Sequence, residues 1–177
     1  MKKNKTTRFI VGNALLIALT VVFTMINIPI VPGVSLNLSL VTIALAAIIY
    51  GWKSGLFVGL VNGAFVIISA GIFLAENPIA TVIICLLKSG LAGLLSGLIY
   101  NLIKNKNEIV AVLVSSLMIP IINTSIYVLG IYLFFSYEFF IAVLPSLLNF
   151  IIELAVSFLL SPTVYYLLKV FNKRHLN

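Results

Sequence analysis

Apolar residues in this chain run in long blocks, and short polar or turn-rich joints separate one block from the next. Six such blocks occupy about 9–28, 38–50, 55–74, 79–103, 109–135 and 139–168. Crossing roughly 30 Å of hydrocarbon takes about 20 helical residues. The blocks therefore predict an all-α integral membrane protein, a single bundle of six transmembrane helices forming one membrane domain over 1–177. The second block is short for a full span. It follows NIPIVPGVSLN, where Pro29, Pro32 and Gly33 disfavour continuous helix, so a loop that folds over or into the bundle is expected there.

Composition strengthens this reading. The chain is 62% apolar and 8% charged, whereas soluble domains are roughly 45–50% apolar. The basic head MKKNKTTRF resembles that of a signal peptide, but the apolar run behind it, about 20 residues, exceeds the usual h-region of about 7–15 and no A-x-A-like site follows. A retained first helix is expected, with 1–8 as a basic tail. The single cysteine, Cys85, has no partner and rules out a disulfide framework or a cysteine zinc site. No metal or cofactor is expected.

Net charge of +7 is explained by topology. Lys2, Lys3, Lys5, Arg8, Lys53, Lys104, Lys106, Lys169, Lys173 and Arg174 fall on one side of the predicted bundle, while Glu76 and Glu138 fall in the opposite joints. By the positive-inside rule both termini are cytoplasmic, which places the chain as a multi-pass protein of a plasma membrane. The lone histidine, His175, lies in the basic tail and reads as a solvated residue.

Only two charged residues fall deep inside the blocks, Lys88 and Glu153. A charge at mid-membrane costs about 2.5–3.5 kcal/mol on insertion scales and tends to face an interior or a cavity. Counted along their helices, Lys88, Asn149, Glu153 and Asn123 share one depth band, at or just outside the midplane. Asn149 and Glu153 are four residues apart, as are Asn123 and Tyr127, so each pair lies on one helical face. With Thr124 beside Asn123, these groups fit a pocket for a small polar ligand. The alternative is structural: Lys88 and Glu153 neutralise each other and the asparagines bond neighbouring helices together. Pro120, in PIINTSIYVLG, is expected to kink the fifth helix and free carbonyls for nearby hydroxyls and amides. Small residues four apart, Ala14 and Ala18, Gly55 and Gly59, Gly59 and Gly63, Gly93 and Gly97, mark faces for close helix contact. Spacing does not say which of them meets another protein.

Catalytic motifs are missing. Both Lys-Ser pairs, Lys53–Ser54 and Lys88–Ser89, lack the glycine of a phosphate loop, and no H-E-x-x-H or Ser–His arrangement is present. An enzyme is not expected.

An A-x-x-x-A first helix, a Pro/Gly-containing loop leading to LNLSLVTIALAAIIYGWKSGLFVGLVNG, and six helices without an ATPase motif resemble the substrate-binding S component of energy-coupling factor (ECF) vitamin transporters. PIINTSIYVLGIYLFF and LNFIIELAVSFLLSPTVYYLLK resemble the fifth and sixth helices of its pantothenate-type members. The resemblance implies a bacterial subunit that captures a vitamin at the outer face and docks on a transmembrane coupling subunit with two cytoplasmic ATPases. It implies docking through Ala14 and Ala18, a lid at Pro29 to Asn37, and release by toppling of the subunit. With a vitamin as ligand, the polar groups picked out by depth and spacing, Lys88, Asn123, Thr124, Tyr127, Asn149 and Glu153, are its expected contacts. Lys88 suits the carboxylate of pantothenate, and Asn123, Tyr127 and Asn149 suit its hydroxyls and amide. Whether Lys88 pairs with the substrate or with Glu153 stays open. The only tryptophan, Trp52, lies at the cytoplasmic joint, which favours an aliphatic over a flat aromatic ligand. Other readings are an S component for folate, pyridoxine or hydroxymethylpyrimidine, a standalone proton-coupled carrier with a Glu153–Lys88 relay, or a scaffold subunit.

Overall fold

The computed structural model describes residues 2–26, 28–31, 34–70, 75–135 and 139–176. It contains six helices: α1 (Lys2–Met25), α2 (Ser39–Leu45), α3 (Trp52–Ser69), α4 (Pro78–Ile103), α5 (Glu108–Phe134) and α6 (Phe139–Leu176). In hydrocarbon a backbone must satisfy its own polar groups, and helix does so within one segment. Three helical stretches are long and apolar enough to cross a membrane, Pro78–Ile103, Glu108–Phe134 and Val143–Lys173; Phe9–Met25, Ser39–Tyr50 and Trp52–Ile68 are shorter apolar helices.

Helix ends follow local chemistry. The Asn77 side-chain oxygen accepts from the Ala80 backbone N–H at 3.2 Å, with Pro78 at the first helical position where its missing N–H costs nothing. Asn107 caps α5 through bonds from the Ile109 and Val110 N–H groups, and Asn37 accepts from the Ser39 N–H and hydroxyl just before α2. A π-helical turn, Ala46–Tyr50, extends α2 and ends at Gly51, whose φ of 94° admits only glycine readily. That residue turns the chain into α3.

Several boundaries differ from the hydropathy blocks. α1 begins at Lys2 and α6 continues to Leu176, because polar residues at a membrane surface extend a helix without registering as apolar. α3 stops at Ser69, and residues 71–74 lie outside the described residues. The expected loop after α1 is a two-stranded antiparallel hairpin, β1 (Ile28–Val31) and β2 (Val34–Leu36), with an irregular register between Pro29 and Val31. Pro32 and Gly33 of the expected lid, and Glu138 of the expected outer joint, lie outside the described residues. α5 is one continuous helix through Pro120.

Short α2 with its π turn is the hub. It packs against α1, α3, α4, α5 and α6, and Ile43, Ala46 and Ala47 along it are fully buried. The other five helices stand around it, α3 against α4, α4 against α5 and α5 against α6. Antiparallel pairing of successive helices puts the hairpin at one end, with exposed Glu76, and exposed Lys53, Lys104 and Lys106 at the other. At the lysine end Tyr50 lies edge-on to Phe9 of α1 and Phe171 of α6, over the bare backbone of Gly12.

The tightest seam is α3 on α4. A Cβ at Gly55 would strike the Gly93 carbonyl, one at Gly59 the Ser89 carbonyl, and one at Gly63 the Cys85 carbonyl. Only glycine lets two backbones approach this closely. The glycine faces singled out by spacing are thus spent inside the fold. Ala14 and Ala18 are both exposed on α1, on a face that also carries Val11, Leu15, Val22 and Met25.

Candidate functional site

Three helices carry the residues expected at the site. α4 supplies Lys88, the eleventh residue of a helix that starts at Pro78; α5 supplies Tyr127; and α6 supplies Asn149 and Glu153. The Lys88 Nζ lies 5.0 Å from the centre of the Tyr127 ring, a cation–π contact. Asn149 Nδ2 donates to Glu153 Oε1 at 2.8 Å, across the one turn of helix that separates them. Glu153 is 4% exposed. No ion pair within 4.0 Å joins Lys88 and Glu153, among the described residues.

Two acceptors at this place have no partner. Glu153 Oε2 and Asn149 Oδ1 are both buried and make no hydrogen bond. An unpaired buried acceptor costs about 1–3 kcal/mol, more for a charged group. Asn13 Oδ1 of α1, Ser54 Oγ of α3 and Ser115 Oγ and Ser116 Oγ of α5 are likewise buried without a partner, among the described residues. Asn123 is buried at 8% exposure one turn from Tyr127, and Thr124 beside it is half-buried. Neither makes a hydrogen bond to Lys88, Asn149 or Glu153, among the described residues. An apolar wall of Ala80, Ile84, Ile131 and Phe135, with Tyr127 packed against it, closes the space between α4 and α5 towards the hairpin end. β2 contacts α6 at that same end.

A second polar group, not singled out from the sequence, lies on the other side of α4. Thr24 of α1 donates to Asn62 Oδ1 of α3 at 2.8 Å, and Asn62 Nδ2 donates to the Ser89 hydroxyl of α4 at 3.0 Å. Thr20 and Thr42 join α1 to α2 through hydroxyls 2.5 Å apart. Asn62 is 1% exposed and its amide is satisfied at both ends. This is helix-to-helix bonding with nothing left over for a ligand. Its sequence signal was a lone asparagine in the apolar run LFVGLVNGAFVI and two threonines four apart.

The sequence model of the family described as "ECF transporter, substrate-specific component" matches residues 8–165. The chain belongs to that family. No curated protein matches it. An ECF substrate-specific component is a transport subunit that binds substrate in the membrane and works with a coupling subunit and ATPases, not an enzyme. In this ECF component the unpaired oxygens of Asn149 and Glu153 on α6 are set apart from the Thr24–Asn62–Ser89 network that joins α1, α3 and α4. Hydrogen-bonding and charged groups in an otherwise apolar bundle can orient a small polar molecule.

Proposed function

We propose that this chain is the S component of a vitamin importer and that its vitamin is pantothenate. Lys88, Asn123, Thr124, Tyr127, Asn149 and Glu153 form the binding site, between α4, α5 and α6. All six helices sit in the plasma membrane with both termini in the cytoplasm, and the β1–β2 hairpin acts as the lid on the outer side. Loading occurs under that hairpin. A coupling subunit and two ATPases then receive the loaded subunit through Ala14 and Ala18 on α1.

The observation that carries the reading is the pair of unpaired oxygens, Glu153 Oε2 and Asn149 Oδ1, on α6 of a member of this family whose half-buried Lys88 rests on the Tyr127 ring. Pantothenate has a carboxylate for the lysine and hydroxyl and amide donors for the acceptors. Exposure of Ala14 and Ala18 supports docking through α1, since the glycine faces are already occupied within the bundle.

Equilibrium binding of radiolabelled pantothenate to the purified subunit tests this directly. Saturable binding near one per chain is expected. Lack of saturable binding, with a different vitamin carried through purification and identified by mass spectrometry, rejects pantothenate and leaves the family assignment standing. Gradient-driven flux by the reconstituted chain alone, without ATPases, rejects the role as a subunit in favour of a carrier.

A further inference from the structure

The unpaired groups have a polarity of their own. On α6 both unpartnered atoms are oxygens: Asn149 gives one of its two amide N–H groups to Glu153 Oε1, and Asn149 Oδ1 and Glu153 Oε2 make no hydrogen bond. On α4 the group is a cation. Lys88 rests on the Tyr127 ring face and has no carboxylate within 4.0 Å, among the described residues. A site with donors at one end and acceptors at the other discriminates by ligand polarity, because a mismatched group strands a buried partner.

We infer that the site takes a bipolar ligand in one orientation, with an anionic group on Lys88 of α4 and at least two hydrogen-bond donors, hydroxyl, amide N–H or ammonium, on Asn149 Oδ1 and Glu153 Oε2 of α6. This rests on the proposed binding role of the site and goes beyond it. It makes Glu153 a ligand acceptor instead of the counter-ion of Lys88. It excludes dicarboxylates, whose second acid group would face two acceptors, and it excludes simple carboxylic acids without donors.

Two variants and two probes test it. The probes are pantothenate and its alcohol analogue pantothenol, which keeps the hydroxyl and amide donors and replaces the carboxylate with a neutral CH2OH. Wild-type protein should bind pantothenol at least 10-fold more weakly than pantothenate. Lys88→Met should remove that preference, lowering pantothenate affinity about 10-fold or more and leaving pantothenol within about 2-fold. Glu153→Gln should weaken both probes by the same factor, about 10-fold. Whichever way the Asn149 and Gln amides then settle, one of the two free acceptors becomes a donor.

Unchanged pantothenate affinity in Glu153→Gln, or equal losses of both probes in Lys88→Met, overturns the inference. A wild-type protein that binds neither probe removes pantothenate from the proposed function without touching the polarity argument. The molecule carried through purification then decides: one with an anionic group and two or more donors upholds the inference, and one lacking either overturns it.

Discussion

The two sides of α4 handle buried polarity in opposite ways. On the side facing α1 and α3, Asn62 is bonded at both ends of its amide and sits in a seam where glycines let the backbones touch. On the side facing α5 and α6, Asn149 and Glu153 bond each other and leave one oxygen each without a partner. Burial among the three long apolar helices falls off only at α6. Of the most apolar window of each long helix, 44% is buried in α4 and 50% in α5, but only 11% in α6. The Thr24–Asn62–Ser89 network is closed by its own side chains, although Asn13 Oδ1 of α1 and Ser54 Oγ of α3 are also buried without a partner. The Asn149–Glu153 pair is, in our reading, completed by a ligand. An asparagine in a membrane helix is therefore glue or site depending on whether its bonds close within the protein.

The largest effect should come from forcing the α3–α4 seam apart. Gly59→Leu places a side chain against the Ser89 carbonyl and the Gly90 backbone, where neither neighbour can turn away. Overpacking of this kind costs roughly 3 kcal/mol or more when backbone has to move. The variant should lose its monodisperse peak in detergent, and size-exclusion chromatography with thermal denaturation checks it. A well-behaved Gly59→Leu would mean that the α3–α4 seam is looser than described.

Smaller, and opposite on the two sides, are the effects of removing polar groups. Asn62→Ala strands the Ser89 hydroxyl and takes a partner from Thr24, so thermal stability should fall by about 1–2 kcal/mol, given that hydrogen bonds between membrane helices are worth roughly 0.6–2 kcal/mol each. Ligand affinity should stay within about 2-fold. Glu153→Gln should leave the ligand-free protein equally stable or stabilise it, because a buried charge without a full set of partners is replaced by a neutral amide. Thermal shifts of both variants, with and without ligand, measure the contrast. Equal destabilisation of the two would erase the distinction between glue and site.

The helices were legible in the sequence because the membrane leaves a spanning segment no other choice. Residue counting gives height along a helix, and from it Lys88, Asn149, Glu153 and Asn123 were expected in one depth band. Rotation about each helix axis was not legible. In a chain that is 62% apolar, lipid-facing and interior positions carry the same residue types, so no periodic stripe says which face turns inward. Asn62, Thr20, Thr24 and Thr42 were overlooked for that reason, and the orientation of Lys88 towards the Tyr127 ring and not into an ion pair with Glu153 was left open. Resemblance supplied the remaining expectations, docking through α1 and pantothenate as the vitamin, both of which stand here as proposals.

Rotation also separates two motifs that look alike as text. Gly55, Gly59 and Gly63 repeat every four residues, as Ala14 and Ala18 do, yet the glycines face α4 backbone and the alanines face outward. Alanine in the seam would already collide, whereas α1 has room for any side chain at its exposed positions. Ala14→Trp should therefore change stability by no more than about 0.5 kcal/mol, the usual range for a surface site, and leave ligand binding intact. If a partner helix packs on this face through close backbone approach, the same indole must be accommodated between two helices and the association should weaken strongly. Copurification of the coupling subunit with wild type and with Ala14→Trp reads this out. Undiminished copurification would move the docking surface off the Ala14–Ala18 face, and the glycine seam, already filled by α4, could not take its place.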